Sequence, residues 1–218
     1  QTGFREFFRY TALSVLGTLG VSCYILADTF FVSKGLGANG LTALNLAIPV
    51  YNFIHGTGLM LGMGGATRFC VCKSRQRREK VNQIYTNTLY LGALFSAVFV
   101  LIGLFFGVRL SLLLGADKNV LDMTATYLKW LLLFSPAFIL NDILLCFVRN
   151  DDNPRLAMTA MIIGSFSNII LDYIFIFPMK MGIFGAIFAT GLSPIISIIS
   201  MLSHWIKRKN TFHVCRTK

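Results

Sequence analysis

The sequence predicts an all-α polytopic membrane protein: a bundle of six transmembrane helices with both termini in the cytoplasm. Three observations carry that reading. Of 218 residues, 55% are hydrophobic and 13% charged, with a mean hydropathy of +0.67, too apolar for a domain that faces water on every side. Apolar runs long enough to cross about 30 Å of hydrocarbon, roughly 20 helical residues, recur six times along the chain. The 20 Lys and Arg that make the net charge +11 lie between those runs or near their ends.

The first run, Tyr10–Phe31, follows Arg5 and Arg9 and so mimics a secretory signal. It is too long for one, lacks a small-residue cleavage site and precedes five more runs, so it is expected to stay in the protein. The second, Leu41–Ala66, contains "PVYNFIHGTGLMLGMGG", where Gly58 and Gly62 stand four apart and offer a surface for close helix approach. The third is Ile84–Leu114. The fourth, Leu128–Val148, and the sixth, Gly182–Ile206, carry Pro136 and Pro194, which can kink or open a helix. The fifth is Leu156–Met179. Residues 207–218 form a basic cytoplasmic tail.

Charge sets the orientation. With the N-terminus inside, fifteen basic residues fall on the cytoplasmic side: Arg5, Arg9, Arg68, Lys73, Arg75, Arg77, Arg78, Lys80, Arg149, Arg155, Lys207, Arg208, Lys209, Arg216 and Lys218. Lys34, Arg109, Lys118, Lys129 and Lys180, five in all, fall on the other. That is the positive-inside pattern. The run "SRQRREK" (Ser74 to Lys80) is therefore read as a topology-fixing loop, and no nucleic-acid partner is expected. Cys23, Cys70, Cys72, Cys146 and Cys215 are odd in number and face a reducing side, so no disulfide framework or zinc site is expected. No nucleophile elbow, P-loop or H-E-x-x-H pair occurs, so an enzyme or an ATP-driven pump is not expected, nor any cofactor.

Three carboxylates lie inside the runs. An Asp at mid-helix costs roughly 2.5–3.5 kcal/mol on insertion scales, so each needs employment. Asp28 is six residues before Lys34, and Asp172 is eight before Lys180, which sets both about 9 to 12 Å below the outer loops. Asp142 lies near the cytoplasmic end of its helix, seven residues before Arg149, and is read as structural, with that arginine within reach. In the fifth run, Ser165, Asn168 and Asp172 form one polar stripe. In the sixth, Thr190, Ser193, Ser197, Ser200 and His204 form another, although Ser and Thr also serve as small packing residues between membrane helices. In the first, Tyr24 shares a face with Asp28 and can bond it or line a cavity beside it. His55 has no second ligand at helical spacing and is read as packed or lightly hydrogen-bonded. Two carboxylates at one depth, with amide and hydroxyl groups around them, suit capture of Na⁺ or of a proton.

On these residues the sequence resembles the multidrug and toxic compound extrusion (MATE) family. The resemblance rests on "LADTFFVSKGLGANGLTALNLAIPVYNFI", "LGMGGATR", "RNDDNPR", "SNIILDYIFIF" and "MGIFGAIFATG", in this order and over nearly the whole chain, and is nearest the bacterial DinF-like branch. It implies the N-terminal six-helix lobe of a twelve-helix fold, in a bacterial plasma membrane, facing a second lobe across a central cavity and driven by Na⁺ or H⁺. By the same resemblance Asp28, Asn168, Asp172, Thr190 and Asn141 couple the ion, the first four as ligands if it is Na⁺. Tyr24, Ser165 and Ser193 are expected in the substrate cavity. The family usually places proline after the fifth-helix aspartate, and Tyr173 stands there in this chain. A single lobe leaves three expectations: part of a longer chain, a homodimer that rebuilds the twofold, or a nonfunctional remnant.

The expected function is export of cationic, apolar drugs in exchange for the ion. The alternatives are a lipid or polyisoprenoid flippase and a non-transporting membrane subunit. A flippase for bulky anions should line its cavity with Arg or Lys, and none stands at mid-run in this chain.

Overall fold

A computed structural model describes residues 2–75, 78–150 and 154–202. The predicted tail and His204 lie outside these. The described residues are helical almost throughout. α1 is Thr2–Ser74, α2 Arg78–Leu113, α3 Leu121–Leu133, α4 Ser135–Asn150, α5 Pro154–Ile176 and α6 Gly182–Met201.

These six elements make six membrane crossings, but not one each. A straight helix of 73 residues would be about 110 Å long, yet the Tyr24 and Tyr51 hydroxyls, 27 residues apart, are hydrogen-bonded to each other. α1 is therefore a hairpin. Its two legs, residues 2–36 and 38–74, meet at Gly37, where φ is 75° and ψ −160°, a backbone state that glycine enters without a Cβ clash. α3 and α4, conversely, are one crossing bent by 48° at Phe134. Pro136 lies in the first turn of α4, where its missing N–H removes no bond from the ladder. The bend thus falls where the sequence placed a proline. α5 runs without a break through Asp172 and Tyr173, and α6 through Pro194.

The turns between crossings carry their own chemistry. Asp117 orders the turn before α3 by accepting the backbone N–H groups of Asn119 and Val120 at 2.9 and 3.3 Å. The α5–α6 turn closes through Met179 N–H to the Ile174 carbonyl and Met181 N–H to the Phe175 carbonyl, at 3.1 and 2.9 Å.

The fourth crossing is the bundle's centre. Phe138, Ile139, Ile143, Phe147 and Val148 of α4 are all buried, and Phe147 packs edge-on between Phe69 and Tyr85. Glycines set how close its neighbours come. A Cβ on Gly62 would lie 3.0 Å from the Asp142 carbonyl and 3.2 Å from Ile143 Cα. The second leg of α1 therefore rests almost backbone to backbone on α4, the use expected for the Gly58/Gly62 face. On the first leg Gly17 and Gly20 make room for side chains of α5 instead, Met161 at 2.8 Å from a Gly17 Cβ and Ile162 at 3.5 Å from a Gly20 Cβ. The outward faces stay apolar: Leu94, Leu101, Phe105 and Leu113 of α2 are exposed, as suits contact with acyl chains.

Gly62→Val is expected to lower stability in detergent by about 1–3 kcal/mol through overpacking on α4. Gly64→Val, whose Cβ would meet nothing within 4 Å, is the control. Thermal midpoints of the two variants check this: equal midpoints would contradict the close approach.

Candidate functional site

The first leg of α1 and α5 bring two acids together. Asp28 is 7% exposed and Asp172 0%, and the two carboxyl groups lie beside each other. Asn168, also fully buried, stands one helical turn from Asp172 on the same face. Both oxygens of Asp172, one of Asp28 and both polar atoms of Asn168 have no hydrogen-bond partner among the described residues. Each buried polar atom left so costs about 1–3 kcal/mol, and two ionised carboxylates side by side also repel. A proton or a small cation set between them removes both costs at once. The set of carboxylate, amide and hydroxyl oxygens suits Na⁺ as well as H⁺. Among the described residues no three His, Cys, Asp or Glu side chains gather as a transition-metal cluster would require.

Thr190 enters from α6. Its hydroxyl donates to the Ala186 carbonyl at 3.0 Å, which leaves the oxygen's lone pairs for another partner, and Tyr127 of α3 lines the same cavity. Asp28, Tyr24, Tyr51, Tyr127 and Thr190 line a cavity of about 110 Å³. Tyr24 lines this cavity with Asp28, but its hydroxyl bonds Tyr51.

The remaining expected residues lie one layer further in. Asn141, Ser165 and Ser193 line a second cavity, of about 280 Å³, together with His55, Asp142 and Ser197. Asn141 Oδ1 is buried without a hydrogen-bond partner among the described residues. Ser165 donates to the Met161 carbonyl and Ser193 to the Gly164 carbonyl, both at 2.7 Å. Tyr24, Tyr51 and Thr190 line both cavities.

Three features went unread in the sequence. Asp142 does not turn to Arg149: its Oδ2 accepts from His55 Nδ1 at 2.9 Å, while Arg149 Nη2 donates to Met161 Sδ at 3.7 Å. The pair joins residues 87 apart, and helical spacing holds no signal for it. Tyr51 carried no marker beyond its place among the glycines. Tyr127 stands one residue before the fourth apolar run, so a hydropathy boundary hid it.

Residues 14–174 match the MatE family. Multidrug export protein MepA of Staphylococcus aureus (strain MRSA252) is 26% identical over 211 residues, 97% of this chain and 47% of MepA. MepA of Staphylococcus saprophyticus is 25% identical over 207 residues, 95% and 46% of the two chains. Among solved structures, MATE in complex with MaD3S superposes with a TM-score of 0.88 at 26% identity, covering 95% of this chain and 47% of that one. A MOP superfamily transporter from Pyrococcus furiosus does so with 0.86 at 27%, covering 96% and 46%. The chain spans about half the length of the curated relatives it matches.

Asp28→Asn gives the Asp172 oxygens a donor of the same shape. The variant is expected to be at least as stable as the parent, and a loss above about 1 kcal/mol would mean that the acid makes an interaction other than this face-to-face pairing. Detergent melting near neutral pH measures it.

Proposed function

The chain belongs to the MatE family, whose members are transporters and not enzymes, and from that premise we propose that it is one lobe of an antiporter exporting cationic, apolar compounds. The observation that carries the proposal is the buried Asp28–Asp172 pair with Asn168 beside it, unpartnered and lining or adjoining a cavity. Asp28, Asn168, Asp172 and Thr190 take the coupling ion, Na⁺ or H⁺. Asn141, on the inner cavity, takes part in its passage.

The cycle follows from charge. Ion and substrate cation compete for the same carboxylates, so entry of one favours release of the other. Competition alone is not transport: the two loaded forms must also favour different openings, because a ligand that binds both equally shifts nothing. The means lie in the glycine-faced contacts of both α1 legs, which can slide or re-pack without cutting large side chains. Tyr24, Tyr51 and Tyr127 give the cavity aromatic surface for an apolar cation, with Ser165 and Ser193 at its inner end. The names of the MepA relatives support a multidrug substrate range and a bacterial plasma membrane. A second six-helix lobe, from a longer chain or a second copy, completes the cavity, since these relatives are about twice as long. Neither the flippase reading nor the non-transporting subunit is favoured: among the described residues no Lys or Arg lines the cavity around Asp28, Arg149 lining only the inner one, and the MepA relatives are export proteins.

Lipid vesicles holding the complete transporter, this lobe together with its second lobe, and loaded with a fluorescent organic cation should release it under an imposed Na⁺ or pH gradient. Asp28→Asn and Asp172→Asn should each slow that release about tenfold or more while inserting normally. Undiminished release in either variant would refute the role of the pair, and the gradient that drives the parent identifies the ion.

A further inference from the structure

Four-residue steps stack three polar layers through the lobe. On the outgoing leg of α1, Tyr24 stands one turn inside Asp28, and on the returning leg His55 stands one turn inside Tyr51. Each step is about 6 Å along the membrane normal. From outside inward the order is Asp28 with Asp172, then the hydrogen-bonded hydroxyls of Tyr24 and Tyr51, then His55 with Asp142. The tyrosine pair divides the cavities: both rings line both spaces, Asp28 lines only the outer, and His55 and Asp142 only the inner.

The inner pair has the marks of a built site. Asp142 is buried, and a carboxylate acceptor at 2.9 Å fixes the hydrogen of the neutral imidazole on Nδ1. Tyr51 and Phe138 hold the ring, with centroids at 4.4 and 5.6 Å. Gly58, three residues from His55, makes room for the carboxylate, since a Cβ there would lie 2.7 Å from Asp142 Oδ2. Nε2 is then a bare lone pair, buried and without a hydrogen-bond partner among the described residues. It is a proton acceptor whose charge, once it is loaded, the adjacent carboxylate balances. The other titratable or charged groups facing it are Tyr24 and Tyr51 from α1 and Cys146 and Arg149 from α4. α5 and α6 present neutral side chains to this cavity, and no described residue of α2 or α3 lines it.

We propose that His55 and Asp142 form a second proton-binding site of the lobe, open to the inner cavity, which reaches the Asp28 cavity through Tyr51. A proton from the inner cavity binds Nε2 while Nδ1–H continues to donate to Asp142. Tyr51, packed on the imidazole and bonded to Tyr24, is the side chain that registers the added charge in the outer cavity. The link to transport rests on the antiport reading above, whereas the site itself does not.

The first arm of the test is therefore independent of transport. In the chain carrying ¹⁵N-labelled histidine in lipid nanodiscs, His55 is assigned by its loss in His55→Gln. Its Nε2 signal should pass from bare to protonated on acidification, with Nδ1 protonated throughout. Asp142→Asn removes the balancing carboxylate and should move that transition to lower pH. Should Asp142→Asn not fold, Gly58→Ala, which presses a methyl on Oδ2, takes its place. A His55 signal that stays constant, or one that moves identically in the parent and the Asp142 variant, would overturn the site.

The second arm is pH-gradient-driven release of the fluorescent cation from vesicles. His55→Gln and Asp142→Asn should slow it about tenfold, and Tyr51→Phe should slow it likewise while leaving the His55 titration in place. Parent-like release in Tyr51→Phe would overturn the link between the two sites. No release from the parent lobe reconstituted with its second lobe would refute the antiport reading, with the first arm still deciding the site.

Discussion

A carboxylate in hydrocarbon has no water to turn to, and this constraint organises the lobe. Asp28 and Asp172 are tolerable only if they are shielded from lipid and supplied with a positive or hydrogen-bonding partner. Shielding requires helices on every side of the pair. The first leg of α1 closes on α5 through Gly17 and Gly20, so the two acids come from helices in tight contact rather than across an open channel. α6 closes on α5 at Gly164, whose carbonyl takes the Ser193 hydroxyl at 2.7 Å, and this sets Thr190 beside the outer cavity. Small residues thus make the polar site by letting the backbones that carry it approach.

The hairpin in α1 serves the same end. Residues 2–36 carry Asp28 and Tyr24, residues 38–74 carry Tyr51 and His55, and the turn at Gly37 fixes which faces which. A slip of one residue in that turn would rotate the returning leg by about 100° and separate the tyrosines. The bend at Phe134 has a comparable role for α4, since it aims Phe138 and Asp142 at the returning leg while α3 presents Tyr127 further out. Where the chain departs from a straight helix, the departure positions a polar side chain.

Much of this was legible in the sequence. The helical bundle, the placing of Asp28 and Asp172 near the same ends of their helices and the Asn168–Asp172 stripe follow from hydropathy, charge and the 3.6-residue period, all of which are local along a helix. The pairing of His55 with Asp142 is not local, for it joins crossings two and four, and Asp142 read alone pointed to the nearer Arg149. Tyr127 was missed for another reason: Asp122, Thr124, Thr126 and Tyr127 itself lower hydropathy, so the apolar run begins later than the helix, which starts at Leu121. Periodicity reports what each helix offers, while the glycine contacts that decide which offers meet have to be seen in three dimensions.

That distinction bears on the proposed antiport, in which this lobe would do half the work of a pump. If the ion site were an isolated pocket, loading it would alter only its own wall. Instead Tyr24 and Tyr51 belong to the walls of both cavities and Thr190 joins them, so any ion that draws Asp28 and Asp172 together pulls on side chains that also bound the inner space. The second leg of α1 carries Tyr51, His55 and the Gly58/Gly62 face as one rigid unit, and a helix held to α4 by glycine contacts can shift without losing large buried side chains. Movement of that leg therefore changes both cavities together. A structure in which the outer and inner cavities shared no side chain would need a separate relay between them, and this one does not.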